Sequence, residues 1–95
     1  MARVGGYTDS KPADDEVRSA LETPEVMEAL TSTLGFSVES VEVVEYRTQV
    51  VAGVNYHAKL TVNGDRTFVV KAFRPLPHTG LPIEVKSATE TDEFQ

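Results

Sequence analysis

Apolar residues recur along this chain at two different spacings, and the change of spacing divides it. Between Ala13 and Leu34, Val17, Ala20, Leu21, Met27, Leu30 and Leu34 fall largely at three- and four-residue steps, which is the period of one helix face. Asp14, Asp15 and Glu16 stand in the first turn, where acidic groups favour the positive end of the helix dipole. Gly35 stands where a C-terminal cap is expected. Pro24 lacks an amide proton and is predicted to kink the helix or split it near Glu22-Thr23.

Beyond Gly35 the period drops to two. Val41 and Val43, then Val44, Tyr46, Thr48 and Val50, alternate with a slip at Val43-Val44 that predicts a bulge. Val54, Tyr56, Ala58, Leu60 and Val62 point one way, while Asn55, His57, Lys59 and Thr61 point the other. Asn63-Gly64-Asp65 reads as a hairpin turn, because Asn-Gly accepts positive φ angles. Arg66 to Arg74 is a third strand with Phe68, Val70 and Ala72 on one face. The stretch from Pro75 to Pro82 contains three prolines and is predicted to be a loop. Ile83 and Val85 start a short last strand, and Thr89–Glu93 is expected to fray. The chain therefore reads as one domain over 1–95. It has an extended arm at 1–12, a helix at 13–34, antiparallel strands within 40–87 and a loose tail at 88–95. The fold class is α+β, with the sheet covering one helix face.

Composition narrows the function. The 95 residues are 40% hydrophobic and 25% charged, as expected of a folded globule. Nine basic residues against fifteen acidic ones leave a net charge of −6, which argues against a nucleic-acid partner. No apolar run approaches the roughly 20 residues of a membrane helix, so no membrane partner is expected. The N-terminal residues lack the apolar core of a secretory signal, and there is no cysteine. Both features lead to the expectation of a reducing, cytoplasmic location.

The catalytic inventory is thin. A hydrolytic site needs a nucleophile, a base and an orienting group that converge. The two histidines are His57, on a strand's polar face, and His78, in the proline-rich loop, and no metal-ligating spacing exists. Asp14-Asp15-Glu16 reads as helix-start charge, and Gly5-Gly6 follows no strand that would make a phosphate loop. No catalytic residue, metal or cofactor is expected. The odd feature is Gln49-Val50-Val51-Ala52-Gly53, a strand-to-strand connection carrying two valines and an alanine where loop tips are normally polar. Spacing alone allows two outcomes: the valines complete the strands and pack inside, or they stay outside for a partner.

Gln49-Val50-Val51-Ala52-Gly53, flanked by Arg47-Thr48 and Asn55-Tyr56, resembles the hairpin of the cystatin family of papain-like cysteine protease inhibitors. The arm Gly5-Gly6 with Lys11-Pro12-Ala13 beyond it is similar to the N-terminus of the cysteine-free stefin branch. Val70-Lys71-Ala72-Phe73 followed by Leu76-Pro77-His78 resembles the stefin strand and its second inhibitory loop. The likeness covers nearly the whole chain, with departures at Val54, at the placement of Pro24 and in the tail at Ser87-Ala88-Thr89.

The resemblance implies a cystatin-like antiparallel β-sheet wrapped around one long α-helix. It implies a reversible inhibitor rather than an enzyme, whose partners are papain-like cysteine proteases of the papain and cathepsin type. The binding wedge would comprise Val4, Gly5 and Gly6 of the arm, Gln49, Val50, Val51, Ala52 and Gly53 of the hairpin, and Leu76, Pro77 and His78 of the loop. Val54 would add apolar surface beside the tip. β-Branched valines at a tight turn further suggest strain, and hence a monomer that can exchange into a domain-swapped dimer. The rival reading is a non-inhibitory protein-binding or scaffold module on the same fold.

Overall fold

The structure, a computed structural model, describes residues 9–93. Strand β1 (Lys11–Pro12) is followed by helices α1 (Asp15–Leu21) and α2 (Pro24–Leu34). Four longer strands complete the chain: β2 (Val41–Val51), β3 (Gly53–Val62), β4 (Arg66–Pro75) and β5 (Glu84–Glu90). All pair antiparallel in a single sheet of order β1-β2-β3-β4-β5.

The helical stretch is divided where Pro24 forbids continuity. Pro24 opens α2 at its first position, where a missing amide proton costs nothing, and the Thr23 hydroxyl caps α2 by accepting from the Val26 amide at 3.2 Å. The helical stretch expected over 13–34 is thus split at Glu22-Thr23, the second of the two outcomes predicted for Pro24, and Ala13 lies outside both helices. Asp14 is the N-cap of α1, its Oδ1 accepting from the Val17 amide at 3.0 Å. Gly35 caps α2 in the left-handed conformation at φ 81. Glu22, freed at the break, reaches the sheet: its Oε2 accepts from the Val43 amide at 2.9 Å. That amide lies beside the expected bulge, where the β2–β3 register shifts between Val43 and Glu45.

The core forms between the helices and one face of the sheet. Val17, Leu21, Val26 and Leu30 meet Val43, Tyr46, Tyr56, Ala58, Leu60, Val62, Phe68, Val70 and Ala72, all buried. Val54 also packs against this cluster and is half-buried there. The Tyr46 hydroxyl donates to Asp14 Oδ2 at 2.8 Å, and the Lys11 ammonium lies 5.1 Å from the Tyr46 ring centre. The Val17 amide, then the Tyr46 hydroxyl, hold the Asp14 carboxyl below its ordinary pKa. This contact ties β1 and the start of α1 to β2.

Three further boundaries differ from expectation. Lys11–Pro12, read as arm, pairs with Tyr46 and Glu45 as an edge strand. Pro75, read as loop, pairs with Gly53 as the last residue of β4, beyond the Phe73–Glu84 pair where β5 begins, so its missing donor breaks no ladder. β5 runs through Ser87, Ala88, Thr89 and Glu90 instead of fraying, because Arg66 clamps Glu90 with two hydrogen bonds of 2.9 Å.

Candidate functional site

In an antiparallel meander, alternate connections fall at the same end of the sheet. The β2–β3 reversal and the β4–β5 connection are therefore neighbours, and the register shows how closely. Val51 pairs with Gly53 across a turn centred on Ala52, and Gly53 pairs in turn with Pro75, one residue before Leu76. Gln49 to Gly53 and Leu76 to His78 thus lie at the same end of the sheet. Val4, Gly5 and Gly6 lie outside the described residues. The β1 register sets Lys11 opposite Tyr46 and Pro12 opposite Glu45, so β1 begins at its end nearer the Ala52 turn.

The two outcomes left open for the valines are resolved by exposure. Val50 is 75% exposed and Val51 43%. On β2 the face that is buried at Tyr46 is bare four residues later at Val50. Just below the tip the Asn55 side chain donates from Nδ2 to Gln49 Oε1 at 2.8 Å, which clamps the strands across the Gln49–Asn55 pair. Gln49 is half-buried and its carbonyl serves the hairpin itself.

Gly53 is required by two independent constraints. Its φ of 128 is one that side chains with a Cβ rarely adopt, and a Cβ there would lie 2.5 Å from the Arg74 carbonyl and 2.8 Å from the Phe73 ring. The tip therefore sits directly against β4. Sequence reasoning found the glycine but not Phe73, since the contact depends on strand register. Among the described residues the only non-glycine at positive φ is Asn63, so the valines carry no left-handed strain. The cost at this end is exposed apolar surface.

In the β4–β5 connection Leu76 is 38% exposed, Pro77–Thr79 form one 3₁₀ turn, and His78 is exposed. Leu81, which the sequence reading did not single out, is 65% exposed. The signal for it was the dipeptide Leu81-Pro82, which repeats Leu76-Pro77. His57 lies on the outer face of β3, paired with Arg47 and Lys71. Burial first, then the Lys71 and Arg47 charges, hold its imidazole below the ordinary pKa. Among the described residues no three His, Cys, Asp or Glu side chains gather as a metal site would require, and no helix is long and apolar enough to cross a membrane.

An apolar hairpin tip stands beside a Leu-Pro loop at one end of a five-strand sheet that carries helices on one face. The cystatin domain family matches residues 5–94. The chain belongs to the cystatin family. Cystatin-A1 of Sus scrofa is 37% identical over 94 residues, which span 95% of this chain and 89% of that protein. A Sus scrofa protein named leukocyte cysteine proteinase inhibitor 1 is 33% identical over 82 residues, covering 86% and 78% of the two chains. The solved structure of a secreted type 1 cystatin from Fasciola hepatica superposes with a TM-score of 0.71 at 29% identity, covering 93% of this chain and 97% of that one. These relatives place the chain in the type 1, or stefin, branch, and its fold is the cystatin fold.

Proposed function

We propose that this cystatin is a reversible, tight-binding inhibitor of papain-like cysteine proteases, of the papain and cathepsin type, and not an enzyme. The observation that carries the reading is the pair of exposed valines at the Ala52 turn set beside Leu76. The protease cleft is narrow and apolar, and a wedge of Gln49, Val50, Val51, Ala52, Gly53, Leu76, Pro77 and His78 fills it by burying apolar area. Val4, Gly5 and Gly6 extend the contact along the non-primed side.

Magnitudes favour a rigid wedge. Burying about 400 Å² of apolar surface contributes about 10 kcal/mol, which is comparable with the association cost of about 4–15 kcal/mol. Tight binding therefore requires that little be ordered at the moment of contact. The Gln49–Asn55 clamp, the close approach at Gly53 and the 3₁₀ turn supply that order beforehand. The wedge fills the cleft without presenting a peptide bond correctly to the enzyme's nucleophilic thiol, so the block is non-covalent and reversible.

We place the protein in the cytoplasm as a monomer. The chain has no cysteine to protect from reduction. Opening the Ala52 turn would let arm, helices and β2 exchange with a second copy, and such a dimer, detectable by gel filtration after heating, would consume the tip and not inhibit. The deciding experiment is titration of papain with the chain, read by a fluorogenic substrate. Activity should fall to zero at one equivalent, whereas full activity in large excess would leave the non-inhibitory binding module as the reading.

A further inference from the structure

Leu81 is the second most exposed of the large apolar side chains among the described residues, after Val50. It lies in the same connection as Leu76, and each leucine is followed by a proline. A single side chain ties the two copies together. The Thr79 hydroxyl donates to the Leu76 carbonyl at 2.7 Å and accepts from the Leu81 amide at 3.3 Å. The Thr79 amide donates to the same Leu76 carbonyl at 3.0 Å. Gly80, at φ +68, makes the reversal between them, and a Cβ there would meet nothing within 4 Å, so its role is conformational.

Leu81 also lines a groove of about 420 Å³ with Pro82 and Ile83, facing Ser19, Thr23 and Glu25 of the helical segment. The groove does not cover it, since 65% of its surface remains in water. An exposed leucine held on a loop that is braced at both ends is poor design for folding and good design for binding, because the ordering cost of the loop is met before contact.

We propose that Leu81 is a second apolar anchor of this connection, entering the protease cleft beside Leu76, and that Thr79 is the positioning residue that presents both leucines as one rigid unit. The proposal rests on the inhibitor reading above and extends the wedge beyond His78 on the chain.

The test compares the native chain with Leu81→Ala, Thr79→Val and Thr79→Ser, measuring the inhibition constant against papain and the melting temperature of each. Leu81→Ala should weaken inhibition about tenfold, chiefly through faster dissociation, with an unchanged melting temperature. Thr79→Val keeps the shape but removes the hydroxyl, and should weaken inhibition about fivefold. Thr79→Ser keeps the hydroxyl and should stay within about twofold of the native value. Undiminished inhibition by Leu81→Ala, or a melting temperature lowered by it, would overturn the anchor role and return Leu81 to the groove. Equal inhibition by the valine and serine variants at Thr79 would overturn the positioning role. A native chain that leaves papain active overturns the inhibitor reading itself, whereas native inhibition with an unaltered Leu81→Ala overturns this inference alone.

Discussion

The chain reverses at both ends of β3, and the two reversals use opposite chemistry. At Asn63-Gly64 the Asn63 side chain bonds back to the neighbouring backbone. Asn63 Oδ1 accepts from the Glu39 and Ser40 amides at 2.7 and 3.2 Å, and its Nδ2 donates to the Ser37 carbonyl at 2.9 Å. Beside it the Arg66 guanidinium lies 4.5 and 5.5 Å from the Phe36 and Phe68 ring centres while holding Glu90 bidentately. At Ala52 the backbone is fixed by Gly53 and by the Gln49–Asn55 clamp, and the valine side chains are left over for solvent. Two hairpins of one sheet thus separate two tasks. One end holds the α2–β2 connection and β5 in place, and the other presents apolar surface on a backbone already made rigid.

This division predicts which changes damage stability and which damage binding. Gly53→Ala should damage both, since its Cβ must displace the Arg74 carbonyl and the Phe73 ring at an unfavourable φ. A loss of roughly 2–4 kcal/mol is expected in denaturant unfolding, with inhibition of papain weakened in parallel. Val50→Asp should sharpen the contrast. Its side chain is 75% exposed, so the melting temperature should hold while inhibition falls about a hundredfold. A melting temperature that dropped instead would assign Val50 to the fold.

The opposite end should respond in the opposite sense. Asn63→Ala removes three side-chain hydrogen bonds and places alanine at φ 55, so about 1–2 kcal/mol of stability should go, with the inhibition constant unchanged. The smallest effect is expected from Glu90→Gln. The hydrogen bond from Arg66 holds the Glu90 carboxyl below its ordinary pKa. Its stabilising share is therefore present above the unfolded carboxylate pKa and is lost as pH falls through the lowered folded value. Both side chains are exposed, so the variant should melt about one or two degrees lower at pH 7. That gap should close on acidification. A gap that widened at low pH would reverse the assignment.

Much of this contrast was legible in the sequence where the signal is local. Asn63-Gly64, the slip at Val43-Val44, Pro24 and the five residues from Gln49 to Gly53 each act through their own backbone or alternation, and each appears where it was expected. What could not be read was whatever depends on pairing across the sheet. The pairing of Lys11 with Tyr46, the Phe73 ring under Gly53 and the Arg66–Glu90 clamp that lengthens β5 all join residues far apart in sequence. The exposure of Val50 belongs to the same class, because alternation gives a face but not how far the helices cover it. Leu81 escaped for another reason: the resemblance that drew attention to Leu76-Pro77-His78 stopped short of it.

An inhibitor built this way meets the protease with its Ala52 end and leaves the Asn63 end free. Backbone amide chemical shifts of the isotope-labelled chain, recorded with and without papain whose thiol is reversibly blocked, test it residue by residue. Perturbations should concentrate at Gln49–Asn55 and Leu76–Leu81, while Asn63, Gly64 and Arg66 keep their free positions. Perturbations centred on Asn63-Gly64, or none at a papain excess, would contradict the claim.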